Sequence, residues 1–168
     1  MDFFETVEKR QSVRAFKATP VPQDKLDAIL NAINRAPSAG NFQSYEVFVI
    51  DSQEKREALT KATFDQDFIV QAPVSLVFCA NPSRCSYEPK SLYALEDASI
   101  ACSYATLAVT AAGLGAVWVG AFRPDAVLQV LGSPAGLVPV AILPIGYANE
   151  TPERTTRREL SELVHKIG

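Results

Sequence analysis

Apolar residues recur along this chain with two periods. Leu26, Ile29, Leu30 and Ile33 fall at i, i+3, i+4 and i+7, one face of an amphipathic helix. Pro37 stops that helix, because the residue ahead of a proline is pushed out of the helical region. Asp2 with Glu5 three positions on is a capping-box pattern and opens a short helix reaching about Arg10. Between the two helices, residues 11–16 are polar and aperiodic, a loop or extended segment, and Thr19-Pro20-Val21-Pro22 is extended punctuation. Strand-like runs cover residues 45–50, 74–80, 117–122 and 138–147. The second of these is apolar without a break, as in a central strand. The last contains Pro139 and Pro144, which cannot donate to a ladder and favour edges or bulges. Short helices are expected over residues 53–61 and after Pro124. Strands and helices alternate loosely, as in a layered α/β or α+β domain.

The longest feature is a run without charge. No charged residue lies between Asp97 and Arg123, more than the roughly 20 residues that span a bilayer. Read literally it is a transmembrane helix. Its serines and threonines, and the interruptions at Gly113, Gly115 and Gly120, split it instead into a buried helix over residues 92–112, a turn and a short buried strand. Ala98, Ala101, Ala105, Ala108 and Ala112 leave room for a neighbouring backbone, so the helix belongs in a core or a subunit interface. After residue 148 the chain turns polar and basic, then ends with Leu160, Leu163 and Val164, a tail expected to dock on something.

Composition narrows the function classes. The 168 residues are 48% hydrophobic and 21% charged, a globular balance, with one domain over residues 1–168. The formal net charge of −3 lacks the basic excess of a nucleic-acid binder. Three cysteines and one histidine suit neither a disulfide scaffold nor a zinc site, and they fit a reducing cytoplasm. The start is acidic and has no apolar leader pattern. There is no P-loop and no nucleophile elbow. Gly113-Leu114-Gly115 with Gly120 has the wrong spacing for a dinucleotide fingerprint, and Gly113 reads as a helix C-terminal glycine. His165 has no recognisable acid–base partner near it, and the cysteines read as small buried hydrophobes.

Two stretches carry chemistry. Arg10-Gln11-Ser12-Val13-Arg14 sets two guanidinium groups around a hydroxyl, a donor set matched to phosphate oxygens, and the pair Arg157-Arg158 could converge on the same anion. Ala36-Pro37-Ser38-Ala39-Gly40-Asn41-Phe42-Gln43 has small residues that admit a planar ligand to the backbone, flanked by amide side chains. A solvated basic patch and a plain helix-stop loop are the bland alternatives.

With Phe16, these two stretches resemble the N-terminal motifs of the nitroreductase family, FMN-dependent homodimeric oxidoreductases. Gln66 with Ala72-Pro73, the helix from Asp97 with the segment Gly113 to Phe122, and Ile145-Gly146-Tyr147 followed by Arg157 and Leu160 resemble three further family motifs in order. The resemblance covers essentially the whole chain. It implies an α+β fold with a mostly antiparallel central sheet flanked by helices, and a C-terminal tail exchanged in a homodimer. It implies non-covalent FMN, with Arg10, Ser12 and Arg157 at the phosphate and ribityl oxygens and Gln11 among them. Arg14 would face the N1–C2 edge of the ring, where a cation stabilises the reduced state. Pro37, Ser38, Ala39 and Asn41 would line the ring from the partner subunit. The Gly120 backbone would approach N5 with Val119 and Ala121 beside it, and Gln66 would reach the pyrimidine edge. No protein side chain acts as the catalyst. The implied activity is ping-pong transfer from NAD(P)H to a small-molecule acceptor such as a nitroaromatic or quinone, with no metal, nucleic acid or membrane involved.

The chain also departs from the family pattern. Gln11 stands where a second Arg is frequent, and Ser44-Tyr45 where Pro-Trp is common. Residues 81–91 are the only candidate lid. The alternatives are a flavin-binding or sensing dimer without significant turnover, or a specialised branch that fragments flavin or dehalogenates reductively.

Overall fold

The computed structural model describes residues 1–168. Its helices are α1 (Phe3–Lys9), α2 (Gln23–Asn34), α3 (Gln53–Ala62), α4 (Phe68–Gln71), α5 (Lys90–Ala111), α6 (Pro124–Val130) and α7 (Leu160–Leu163). Its strands are β1 (Tyr45–Ile50), β2 (Val74–Ala80), β3 (Gly115–Ala116) and β4 (Val138–Gly146). They form one sheet in the order β1-β2-β4-β3, antiparallel at every pairing. The class is α+β, as the resemblance implied.

Alternation along β2 sorts the core into two layers. Leu76 and Phe78 face Ile29 and Ile33 of α2 and Ala101, Ala105 and Val109 of α5. Val77 and Cys79 face Leu59 of α3, Ile69 of α4 and Val127 of α6. Every residue of β2 is buried, because helices cover both sheet faces. Burial pushes the Cys79 thiol up to about 12, with the nearby Glu46 charge adding to it, and burial raises Cys102 as well. All three cysteines are buried free thiols, placed as small hydrophobes. His165 is exposed on the tail.

The long chargeless run divides into a helix and a turn as expected, but the strand part differs. Helix α5 ends in a Schellman-type cap: Gly113 has φ 73°, its N–H donates to the Thr110 carbonyl at 3.0 Å, and the Leu114 N–H donates to Val109 at 3.0 Å. No helix is long and apolar enough to cross a membrane. The strand expected over residues 117–122 does not form. Ladder pairing stops at Ala116, resumes only at Val119 opposite Ile142, and Trp118 stays 38% exposed. The register is unbroken across that gap, and it sets Val117 opposite Pro144. Proline has no N–H to give, so the pair that would have continued the strand is missing. Strand β4 is therefore interior rather than an edge. Pro139 sits at a register shift against β2, and Pro144 faces the interrupted neighbour.

Other differences are small. Half of the capping box exists: the Glu5 N–H donates to Asp2 Oδ1 at 2.9 Å, while the Glu5 carboxylate pairs with Lys9 at 2.6 Å instead of reaching back. Helices α4 and α7, four residues each, were too short to leave a periodic signal. Residues 151–168 are exposed apart from Pro152.

Residues 12–16 lie extended along the sheet edge. The Val13 N–H donates to Ala116 at 3.0 Å, Lys17 to Tyr147 at 2.9 Å, and Asn149 to Ala15 at 2.8 Å. Two cross-strand glycines, Gly115 and Gly146, admit this segment. A Cβ on Gly115 would stand 2.7 Å from Val13 Cγ2, and one on Gly146 would stand 2.8 Å from Pro73 Cδ and 3.1 Å from Phe16 Cδ1. Gly115→Ala should therefore overpack the edge at a cost of about 1–3 kcal/mol. Differential scanning calorimetry should show a melting temperature lower by roughly 3–10 °C, and an unchanged melting temperature would remove the close-approach role.

Candidate functional site

Val13 and Phe16 are buried under the sheet edge, while Arg10 and Ser12 are half-buried and Arg14 is exposed. Arg10 caps α1 with extended backbone (φ −60°, ψ 120°), so the chain leaves the helix straight into this segment. Arg10, Gln11, Ser12, Arg14 and Arg157 line a single cavity of about 490 Å³. Glu150, Pro152, Glu153 and Thr155 complete the lining, in which the Pro152 ring is the one apolar side chain. Three guanidinium groups against two carboxylates leave one net positive charge. Arg158, the second arginine of the tail pair, does not line it.

The tail is held at the cavity from both ends. The Arg14 N–H donates to Glu150 Oε1, and Arg154 pairs with Glu8 of α1 at 3.2 Å. The second pair is exposed and worth less than about 1 kcal/mol. Arg157 donates to Thr155 Oγ1 at 2.7 Å and to the Thr156 carbonyl at 3.1 Å. Gln11 Oε1 is buried with no donor in the chain. A buried acceptor left open is costly and calls for a partner, and a ligand hydroxyl or N–H is a partner of that chemistry.

The second motif lies elsewhere. Residues 38–44 are not among the cavity's lining. They form a tight loop with a 3₁₀ turn at Ala39–Asn41, and Gly40, Asn41 and Gln43 all have positive φ. The loop is fastened to the N-terminal half of α5. Asp97, 1% exposed, accepts from the Ala39 N–H at 2.8 Å and from the Ser44 N–H at 3.1 Å. Burial, and then the Asp97 charge, raise the Tyr45 phenol above its usual value. Tyr45 thus stays protonated and donates to the Ile33 carbonyl at 3.0 Å. The departure Ser44-Tyr45 now has a physical content, since a proline at 44 would have no N–H for Asp97. Pro37 and Asn41 are exposed, while Ser38 and Ala39 are half-buried.

The third group surrounds the gap in β3. Gly120 and Ala121 are exposed, and nothing lies closer to a Cβ on Gly120 than Trp118 Nε1 at 3.8 Å. Val119 is buried and exchanges both backbone hydrogen bonds with Ile142, so it positions its neighbour and offers no group of its own. Gln66 Nε2 donates to the Thr63 carbonyl at 2.8 Å and to the Ala121 carbonyl at 3.2 Å. That leaves its Oε1 for a ligand. Residues 81–91 rest on the 38–44 loop: Arg84 donates to the Gln43 carbonyl at 3.1 Å, and Tyr87 stacks edge-on against Phe42 with centroids 5.0 Å apart.

Sequence reasoning missed Glu150, Glu153 and Thr155, which sit in a polar tail with no periodic signal. It quoted Asp97 only as part of a motif. A single charge at the border of a long chargeless run was the signal that a buried carboxylate needed partners.

A family model for the nitroreductase family matches residues 7–81 and 60–147. The FMN reductase [NAD(P)H] of Bacillus subtilis is 30% identical over 93% of this chain and 70% of that protein. The NADH dehydrogenase of Thermus thermophilus is 28% identical over 93% of this chain and 91% of that protein. Among solved structures, the oxidoreductase YcnD from Bacillus subtilis superposes with a TM-score of 0.91 at 28% identity, over 99% of this chain and 74% of that one. The NADPH:FMN oxidoreductase of Vibrio harveyi, solved with NAD+, gives 0.91 at 25% identity over 98% and 76%. Matched over most of its length in sequence and throughout in fold, this chain belongs to the nitroreductase family.

Proposed function

We propose that this chain is an FMN-dependent oxidoreductase that uses NAD(P)H to reduce a small-molecule acceptor, such as a nitroaromatic or quinone, in a ping-pong cycle, and that it works as a homodimer of single-domain subunits. Relatives named FMN reductase [NAD(P)H] and NADPH-flavin oxidoreductase support the enzyme class and its cofactor. Three buried free thiols fit a reducing compartment, which we take as the cytoplasm.

The observation that carries this reading is the polar cavity with its orphaned acceptor. Its donor set fits FMN. Arg10 and Arg157 offer guanidinium forks to the phosphate, and Ser12 a hydroxyl. Gln11 Oε1 offers the acceptor that a ribityl hydroxyl satisfies. Arg14, in the same lining, is the cation for the N1–C2 edge. The open backbone at Gly120 and Ala121 gives the ring room to approach. When bound, FMN supplies the redox chemistry, taking a hydride from NAD(P)H and delivering two electrons to the acceptor. The chain's own residues bind and orient the cofactor, set its charge environment and limit water.

Distances and surfaces support the dimer. Asp97, which anchors the 38–44 loop, lies about 22 Å along α5 from Ala112 at its end, and Ser12 of the cavity pairs with Ala116, four residues beyond that end. A loop so far from the cavity of its own copy suits the ring site of a second copy. Phe3, Phe4, Leu92, Leu95, Ile100 and Tyr104 are exposed on α1 and α5. A groove of about 560 Å³ between these helices is lined by apolar groups that include Phe3, Tyr104 and Leu107. An isolated chain does not leave this much apolar surface bare, and a second copy would also receive the exposed tail.

Light scattering after size exclusion should give a dimer, and a stable FMN-loaded monomer would end this reading. Arg10→Ala should weaken FMN binding by about 2–4 kcal/mol through loss of a charge-assisted contact. Riboflavin, which lacks the phosphate, should scarcely notice the change, and equal losses for both ligands in a fluorescence titration would place Arg10 away from the phosphate. Arg14→Met removes a cation that favours the more negative, reduced state. The flavin midpoint should fall by roughly 20–65 mV, and anaerobic titration with an unshifted midpoint at full occupancy would exclude this role.

A further inference from the structure

Asp97 is a buried carboxylate without a cation. The chain's ion pairs are Glu5–Lys9 and Glu8–Arg154, and neither involves it. A charge taken out of water needs compensation, and Asp97 finds it in two backbone N–H groups, Ala39 at 2.8 Å and Ser44 at 3.1 Å. These donors stand at the two ends of one loop, so the carboxylate holds both ends with one rigid group.

The loop needs such a clamp. Gly40 (φ 53°), Asn41 (φ 56°) and Gln43 (φ 50°) are left-handed, a conformation that the two side-chain-bearing residues adopt at a cost. Conformations of this kind persist only where the surroundings over-determine them. Internal bonds alone are short-range: Asn41 N–H to Ser38, Phe42 N–H to Ala39, and Gln43 N–H to Ser38 Oγ. None of them ties the loop to the core. Asp97 does, from the N-terminal half of the longest helix, and at the Ser44 end the Asn81 N–H adds a bond to the Ser44 carbonyl at 2.8 Å. The loop's outward tip is Gly40 and Asn41, both exposed, and the Asn41 carboxamide makes no bond within the chain. At the base the Ala39 and Ser44 N–H groups are held by Asp97 and the Ser44 carbonyl accepts from the Asn81 N–H, while the Ser44 hydroxyl has no partner; the tip is held out with its carboxamide free.

We infer that Asp97 is a positioning residue: its carboxylate fixes the strained 38–44 loop and thereby the isoalloxazine-facing wall that this loop offers to a second copy. The inference rests on the proposed function for the identity of that ligand. Its loop-clamping part stands on the hydrogen bonds alone.

Asp97→Asn keeps the shape but replaces one acceptor by an NH₂ that confronts a backbone donor. Amide hydrogen exchange should show Ala39 or Ser44 opening about tenfold or more faster, the order expected from one lost charge-assisted bond. Protection in α5 and β2 should be retained. FMN and riboflavin should lose affinity by the same factor, since the ring is affected and the phosphate is not, and the visible circular dichroism of bound flavin should change. Unaltered loop exchange would overturn the clamp. Faster loop exchange with unchanged flavin affinity and dichroism would overturn the link to the ring, and so would a loss confined to FMN. Should the variant not fold, wild-type exchange decides the clamp, because amides at Ala39 and Ser44 as labile as that of Gly40 would refute it. A wild-type chain that binds neither flavin would sink the proposed function, while the exchange data would still judge the clamp.

Discussion

Close approach of residues 12–16 to the edge of the sheet is the constraint on which the candidate site depends. The bonds from Val13 to Ala116 and from Lys17 to Tyr147 hold the segment on the sheet edge with Val13 and Phe16 buried, and Arg10, Gln11, Ser12 and Arg14 line the cavity beside it. The same bonds require that Gly115 and Gly146 carry no side chain. The arginines are thus set out by a sheet edge, with its rigidity, and not by a free loop. Rigid placement matters here because guanidinium forks gain most from an anion when their geometry is set in advance.

Legibility in the sequence followed the range of the information. Helix α2 declares itself by its apolar face, and helix α3, strand β1 and strand β2 lie within a residue of the bounds expected from their own residues. The break in β3 does not, because its cause is Pro144 on a strand that begins more than twenty residues later. Proline was recognised as a breaker of its own strand, while its effect fell on the neighbour. The site divides in the same way. The Arg10, Ser12, Arg14 donor set follows from local spacing, Arg157 was legible as half of a basic pair whose convergence on the same anion needed the resemblance to support it, and Glu150 had no signal in either. Asp97 could be seen as an odd charge beside an apolar run, yet its role needs a loop more than fifty residues upstream.

The charges form a graded pattern. The whole chain carries −3, which discourages anions at long range, while the cavity gathers three arginines against two glutamates. Glu150 is more than a counter-charge. By accepting from the Arg14 N–H it braces the backbone that carries the guanidinium. A cavity of mixed sign with one buried orphan acceptor demands a ligand with both an anionic end and hydroxyl or N–H donors. A simple inorganic anion satisfies only the first condition.

Asp97 and the arginine cavity are opposite solutions to placing charge. The cavity concentrates cations at an exposed sheet edge, where an incoming anion neutralises them. Asp97 buries one anion permanently and neutralises it with backbone dipoles, converting electrostatic energy into the shape of a loop. Helix α5 links the two, with the loop anchor in its N-terminal half and Ala116, just beyond its C-terminal end, paired with Ser12 of the cavity. On the proposed reading a flavin uses the cavity of one copy and the loop of another. The length of α5 between Asp97 and its C-terminal cap then sets the offset between the two half-sites. A short chain with little material for a lid can in this way enclose a large cofactor, because the second wall is supplied by the same sequence a second time.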